Sequence, residues 1–77
     1  MAIEPVVRIG KSGLTEPVIN EIKKQLEKKK LIKIKMLKAF VSGKDKKEMA
    51  REIAEKTGSM LVHNVGFIVV VAKKKTI

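Results

Sequence analysis

The chain has 77 residues, no cysteine and a formal net charge of +10, from 18 Lys and Arg against 8 Asp and Glu. So short a chain makes a single domain over residues 1–77, burying roughly 60–65% of the surface its unfolded form exposes, and without cysteine it has neither a disulfide nor a thiolate zinc site. No apolar run approaches the ~18 residues of a membrane span, and "MAIEPVV" lacks the charged start and apolar run of a signal peptide, so a cytoplasmic protein with no membrane partner is expected.

All the basic residues except Arg8 and Arg51 are Lys. Such an excess repels itself, and a polyanionic partner explains it. A Lys-rich surface of the kind found in heat-loving organisms is the competing explanation, but there Glu rises together with Lys in ion-pair networks. Here Glu does not keep up, which favours nucleic acid.

In chain order, Val6 to Ile9 reads as a first strand, with Pro5 tolerable at its edge. Thr15 is placed to cap a helix running to about Lys29, with Glu16 and Pro17 in the first turn, where both are favoured. Val18, Ile22 and Leu26, flanked by Ile19, form its apolar stripe, and Lys23, Lys24 and Glu27 lie away from it. "LIKIKML" alternates, with Ile32, Ile34 and Met36 on one face and Lys33 and Lys35 on the other, as a half-buried strand does. Asp45 with Glu48 three residues later fits a capping box in acidic form. The helix it opens buries Met49, Ala50, Ile53 and Ala54 and ends at Gly58. "SMLVHNV" and "FIVVVAKK" then read as a hairpin pivoting on Asn64, Val65 and Gly66. Residues 73–77 are expected to form a frayed tail.

The order β-α-β-α-β-β predicts an α/β two-layer sandwich, a four-stranded mixed sheet with both helices on one face. The unbroken "FIVVVA" suits a central strand covered on both sides. Arg8, Lys33 and Lys35 fall on the open face. The outward residues of the last strand are apolar too, and a second copy of the chain, giving a homodimer through the sheet, would cover them.

"VRIGKSGLTE" carries the chemistry. Its Gly-Lys-Ser suggests a phosphate-binding P-loop, but the required first glycine falls on Pro5, so that reading fails. Gly10 to Gly13 instead form Gly-x-x-Gly, which lets a sugar-phosphate backbone approach closely. Lys11 adds charge, Ser12 a hydroxyl, and the helix start at Thr15 free amides. The four-residue motif alone is weak, and Glu16 opposes an anion there. Its position is more informative. Parallel strands would gather the loop, Lys38, Lys44, Lys46, Lys47 and the Asn64 turn at one sheet edge, where ligands of open α/β sheets bind. Lys28, Lys29, Lys30, Lys73, Lys74 and Lys75 would form a solvated rim at the other edge. His63, the single histidine, reads as structural, and Glu48, Glu52 and Glu55 as a solvated helix face. Met36, Met49 and Met60 read as core filling. Phe40 and Phe67 are the only aromatics, so base stacking is scarce and backbone contacts should dominate. No enzyme chemistry and no cofactor are expected.

"EPVVRIGKSGLTEPVINEIKKQLEKKKLIKIKM" resembles the chloroplast RNA splicing and ribosome maturation (CRM) domain, and in particular its small stand-alone prokaryotic members of YhbY type, here in an archaeal version. Pro5, Val6, Val7, Gly10, Gly13, Leu14, Thr15, Leu31, Ile32, Lys33 and Lys35 fall on the pattern, as do Thr57, Gly58 and Gly66 later. The resemblance implies RNA binding through Gly10, Lys11, Ser12 and Gly13, and association with ribosomal RNA in precursors of the large subunit. It also implies the fold of the C-terminal domain of translation initiation factor three, with strand order 1-2-4-3. Two features depart from the family: the helix it usually has ahead of the first strand, and Glu4, where relatives often carry Lys. The alternative resemblance is to the Alba family of archaeal chromatin proteins, dimers that bind duplex DNA. It rests on the same element order and on Ile9, Gly10 and Lys11, but "SGLTE" intervenes before Pro17 and Val18.

Overall fold

In the computed structural model, which describes residues 5–74, alternation of apolar and polar residues becomes alternation of buried and exposed ones. The elements are β1 (Val7–Ile9), α1 (Glu16–Lys29), β2 (Leu31–Met36), α2 (Lys38–Val41), α3 (Lys46–Thr57), β3 (Ser59–Val65) and β4 (Ile68–Lys73). One short helix, α2, joins the expected set. Its four residues make barely one turn, too few to show a helical period. Ser42 and Gly43, both at positive φ, stop it there.

The four strands form one sheet in the order β1-β2-β4-β3, as the family resemblance implied. β1 runs parallel to β2, and β4 is antiparallel to both its neighbours. Val7, Ile34, Val69 and Asn64 stand in register across the whole sheet. Ile9, Ile32, Met36 and Val71 share the inner face of the sheet, and with Val7, Ile34 and Val69 they form one core with Ile22 and Leu26 of α1 and Met49, Ala50, Ile53 and Ala54 of α3. Both long helices therefore cover the same face. Burying each large side chain in that layer contributes on the order of 1.5–3 kcal/mol.

The caps explain where the helices begin. Asp45 accepts the amide of Lys47 at 2.9 Å and starts α3. Thr15 occupies the N-cap of α1 in extended conformation, yet its hydroxyl takes no helix amide. Pro17 removes the donor of the second helical position, and the Val18 amide at the third is not taken either. At the other end of α3, Gly58 closes the helix at φ +63. Thr57 and Ser59, both buried, join their hydroxyls at 2.7 Å, and Thr57 also donates to the Ile53 carbonyl.

Four expectations need correction. β4 is interior in strand order but covered on one face only, because both helices lie on the other; Ile68, Val70 and Ala72 remain half-exposed. Met60 is 52% exposed, not core filling, because the Ser59 bond to Thr57 turns Ser59 inward and Met60 outward. A bulge between Leu61 and His63 then shifts the register of β3. The hairpin pivots on Gly66 and Phe67, since Asn64 and Val65 are still paired with Val69 and Ile68. Finally, Lys73 belongs to β4, paired with Ser59; residues 75–77 of the expected tail, Lys75 included, lie outside the described residues. The open sheet face is thus divided: Arg8, Lys33 and Lys35, with Leu31 at the start of β2, on the β1–β2 half, and Met60, His63 and Val65 on β3.

Candidate nucleic-acid interface

At Ile9 the chain must leave the sheet and turn back into α1. It does so in a tight turn closed by the Gly13 amide, which donates to the Gly10 carbonyl at 2.9 Å. Gly13 has φ +73, a conformation that costs an L-residue roughly 1–2 kcal/mol. Space at Gly10 is tight: a Cβ there would lie 3.3 Å from Cδ1 of Leu37, which would have to shift slightly to admit it. One from Gly13 would lie 3.8 Å from the Phe40 ring, an ordinary contact. The two glycines therefore rest against the segment leading into α2, and Lys11 and Ser12 form an exposed corner. The Leu37 amide donates to the Ile9 carbonyl at 2.9 Å, tying that segment to the start of the loop. Leu14, half-buried, packs onto the core.

The other side of α2 is a cleft of about 400 Å³, lined by Lys38, Val41, Ser42, Gly43, Lys44, Lys46 and Phe67. Phe67 reaches it because the hairpin turns at Gly66, whose φ is +55, and because the Phe67 carbonyl accepts the Met36 amide at 2.7 Å. The Lys46 ammonium stands 4.4 Å from the centre of the Phe67 ring, a cation–π contact.

The C-terminal ends of β1, β2 and β3 thus gather most of the residues singled out from the sequence. Gly10, Lys11, Ser12 and Gly13 form the loop, and Lys38, Lys44 and Lys46 line the cleft beyond α2. Thr15, half-buried, follows the loop, its amide bonded to the Gly13 carbonyl at 3.0 Å. Lys47 is exposed on the first turn of α3 but outside the cleft lining. Asn64 does not face this edge freely. Its side-chain amide donates to the Ile68 carbonyl at 3.0 Å and weakly to Gly66 at 3.5 Å, so it holds the hairpin. Phe67 escaped the sequence reading, hidden in an apolar run; the Gly-Phe step before that run is the signal, since Gly at the first central position favours a two-residue turn.

The two sheet edges differ in charge pairing. Among the described residues the ion pairs are Lys56–Glu52 on α3 and Lys73–Glu27. Lys11, Lys38, Lys44 and Lys46 keep unpaired ammonium groups at the loop edge. At the opposite edge Lys73 donates to Glu27 at 2.8 Å. That hydrogen bond, more than the bare charge, holds the Glu27 carboxyl below its ordinary range and the Lys73 ammonium above its own. The expected rim thus has one of its lysines paired, while Lys11, Lys38, Lys44 and Lys46 at the loop edge have no carboxylate partner among the described residues. Asp45, the carboxylate nearest the cleft in sequence, is engaged with the Lys47 amide.

Comparison with known proteins gives the same direction. The model of the CRS1 / YhbY (CRM) domain matches residues 1–73. A protein of Methanocaldococcus jannaschii named as a probable RNA-binding protein is 40% identical over 67 residues, covering 87% of this chain and 49% of the relative. One of Pseudomonas aeruginosa, similarly named, is 31% identical over 72 residues, covering 94% of this chain and 67% of the relative. The chain spans about half the length of the first and two thirds of the second. A hypothetical protein of Staphylococcus aureus, solved in solution, superposes with a TM-score of 0.76 at 36% identity, over 96% of this chain and 75% of that one. These relatives come from an archaeon and from bacteria alike, so the similarity does not single out an archaeal source.

Proposed function

The chain belongs to the CRS1 / YhbY (CRM) domain family, and from that premise we propose that it is a non-enzymatic RNA-binding module that clamps the backbone of structured ribosomal RNA with Gly10–Gly13, in assembly of the large ribosomal subunit. One observation carries this. The loop presents an exposed Lys11–Ser12 corner on a backbone held by Gly13 at positive φ, with the unpaired Lys38, Lys44 and Lys46 at the same edge. The two glycines let the turn fold closely against Leu37 and Phe40, which leaves Lys11 and Ser12 exposed toward a sugar-phosphate chain. The surrounding lysines supply attraction without reading bases.

The test is a competition at fixed salt between a folded fragment of large-subunit ribosomal RNA and a DNA duplex of equal length. The RNA is expected to outcompete the duplex, as specific binding outcompetes general electrostatic binding. Equal competition, or a preference for the DNA duplex, would contradict the assignment and favour a chromatin-type role.

A further inference from the structure

The loop and its neighbouring lysines account for backbone contacts but leave Phe67 and the hollow of the cleft beyond α2 without a role. Three features of that cleft point to a ligand of their own. Its volume, about 400 Å³, lies at the small-ligand end of the range for binding pockets. Its lining holds three lysines and no carboxylate. And it contains Phe67, whose ring face already receives a cation at 4.4 Å and is therefore reachable from the cleft. The second aromatic, Phe40, backs Gly13 instead.

We propose that this cleft receives the base of an unpaired nucleotide of the same RNA strand, stacked on Phe67, with Lys38, Lys44 and Lys46 on its phosphate. The proposal rests on the reading of Gly10–Gly13 as an RNA clamp and adds to it a position that tells unpaired from paired RNA. The path between the two sites is short, because α2 is their common wall: Leu37 and Phe40 stand behind the loop, and Lys38 and Val41 face the cleft. A strand lying on the loop has only this single helical turn to cross. Stacking on Phe67 needs a free base face, which a base inside a duplex lacks, and it tolerates any base because each has a π-face. Lys46 now occupies the ring. Its long flexible chain lets it exchange the ring for the phosphate of the arriving nucleotide, where a charge-assisted bond replaces the cation–π contact.

The probe is a single-stranded RNA of mixed sequence carrying one 2-aminopurine, compared with the same strand in a blunt duplex. For the unaltered protein, stacking is expected to quench the 2-aminopurine, and the single strand is expected to bind tighter than the duplex. Phe67→Leu keeps an apolar side chain in contact with the core but removes the aromatic face. It is expected to lose the quenching and to weaken single-strand binding by about tenfold, as loss of one stacked base does, with duplex binding unchanged. Phe67→Tyr should restore both signals. Lys46→Gln, at an exposed position, probes the same cleft without disturbing the core and should weaken single-strand binding severalfold. Retained quenching and retained preference in Phe67→Leu, or unchanged binding in Lys46→Gln, would overturn the proposal.

A variant with Lys11 and Ser12 both replaced by Glu separates this from the clamp. If that variant fails to bind while Phe67→Leu behaves as the unaltered protein, the base site falls and the clamp stands. If it binds normally while Phe67→Leu loses its preference, the cleft alone holds RNA, and the clamp falls together with the proposal that extends it.

Discussion

Replacing Lys11 and Ser12 together with glutamate is expected to weaken RNA binding by about a hundredfold or more without changing thermal stability. Both side chains are exposed at the corner of the turn and neither takes part in a hydrogen bond that holds the loop. The turn is closed by main chain, Gly13 to Gly10 at 2.9 Å, so the substitutions leave its shape alone. Their effect is electrostatic. A charge-assisted bond to a phosphate is worth about 1.5–3 kcal/mol, and a carboxylate in its place adds repulsion. Each 1.4 kcal/mol is about a factor of ten in affinity. Fluorescence anisotropy with a folded ribosomal RNA fragment measures the loss, and a thermal unfolding curve checks the fold. Undiminished binding by the variant would remove the loop from the interface.

A second large effect is expected from salt. Lys11, Lys38, Lys44 and Lys46 carry unpaired charge along one edge, and the loop amides lie beside them. If about five phosphates are neutralised, the logarithm of the binding constant falls with a slope of roughly −3.5 to −4.5 against the logarithm of salt concentration. Tripling the salt then weakens binding by about a hundredfold. A flat response would contradict an electrostatic clamp. Salt alone does not say which basic surface is used, however, since Arg8, Lys33 and Lys35 form another on the open face. Location requires a different measurement.

Much of the architecture was readable from residue order because period and burial coincide. Ile32, Ile34 and Met36 alternate with lysines, and all three are buried. Ile22 and Leu26, four apart, face the core, as do Met49 and Ile53. The interior place of β4 followed from its apolar run together with the family resemblance. What escaped was set by single contacts. α2 has too few residues for a period to appear, yet it backs both the loop and the cleft. Met60 faces outward although a methionine in a strand usually turns inward, because the Thr57–Ser59 hydroxyl pair decides the phase. Thr15 caps by position only, its hydroxyl taking no helix amide.

The candidate interface shows the same division. Gly10 to Gly13 could be found as a pattern, and the parallel arrangement of β1 and β2 brought Lys38, Lys44 and Lys46 to the same edge, as connectivity suggested. The turn context of Asn64 points to the same edge, but its amide is spent on the Ile68 carbonyl. By its apolar run alone Phe67 belongs to the strand. A one-position shift of the hairpin, made by Gly66 at positive φ, places it in the cleft instead. A shift of one residue exchanges the faces of a strand, and at a hairpin tip it decides whether a side chain joins the core or the site.

The most direct measurement is backbone amide chemical-shift mapping of the labelled protein titrated with a folded ribosomal RNA fragment. The largest changes are expected at Gly10 to Thr15, with a second set at Lys38 to Lys46 and at Gly66 and Phe67. Changes confined to Arg8, Lys33 and Lys35 on the open face, or to Lys28, Lys29 and Lys30 at the opposite edge, with Gly10 to Gly13 unmoved, would contradict the glycine loop as the RNA clamp.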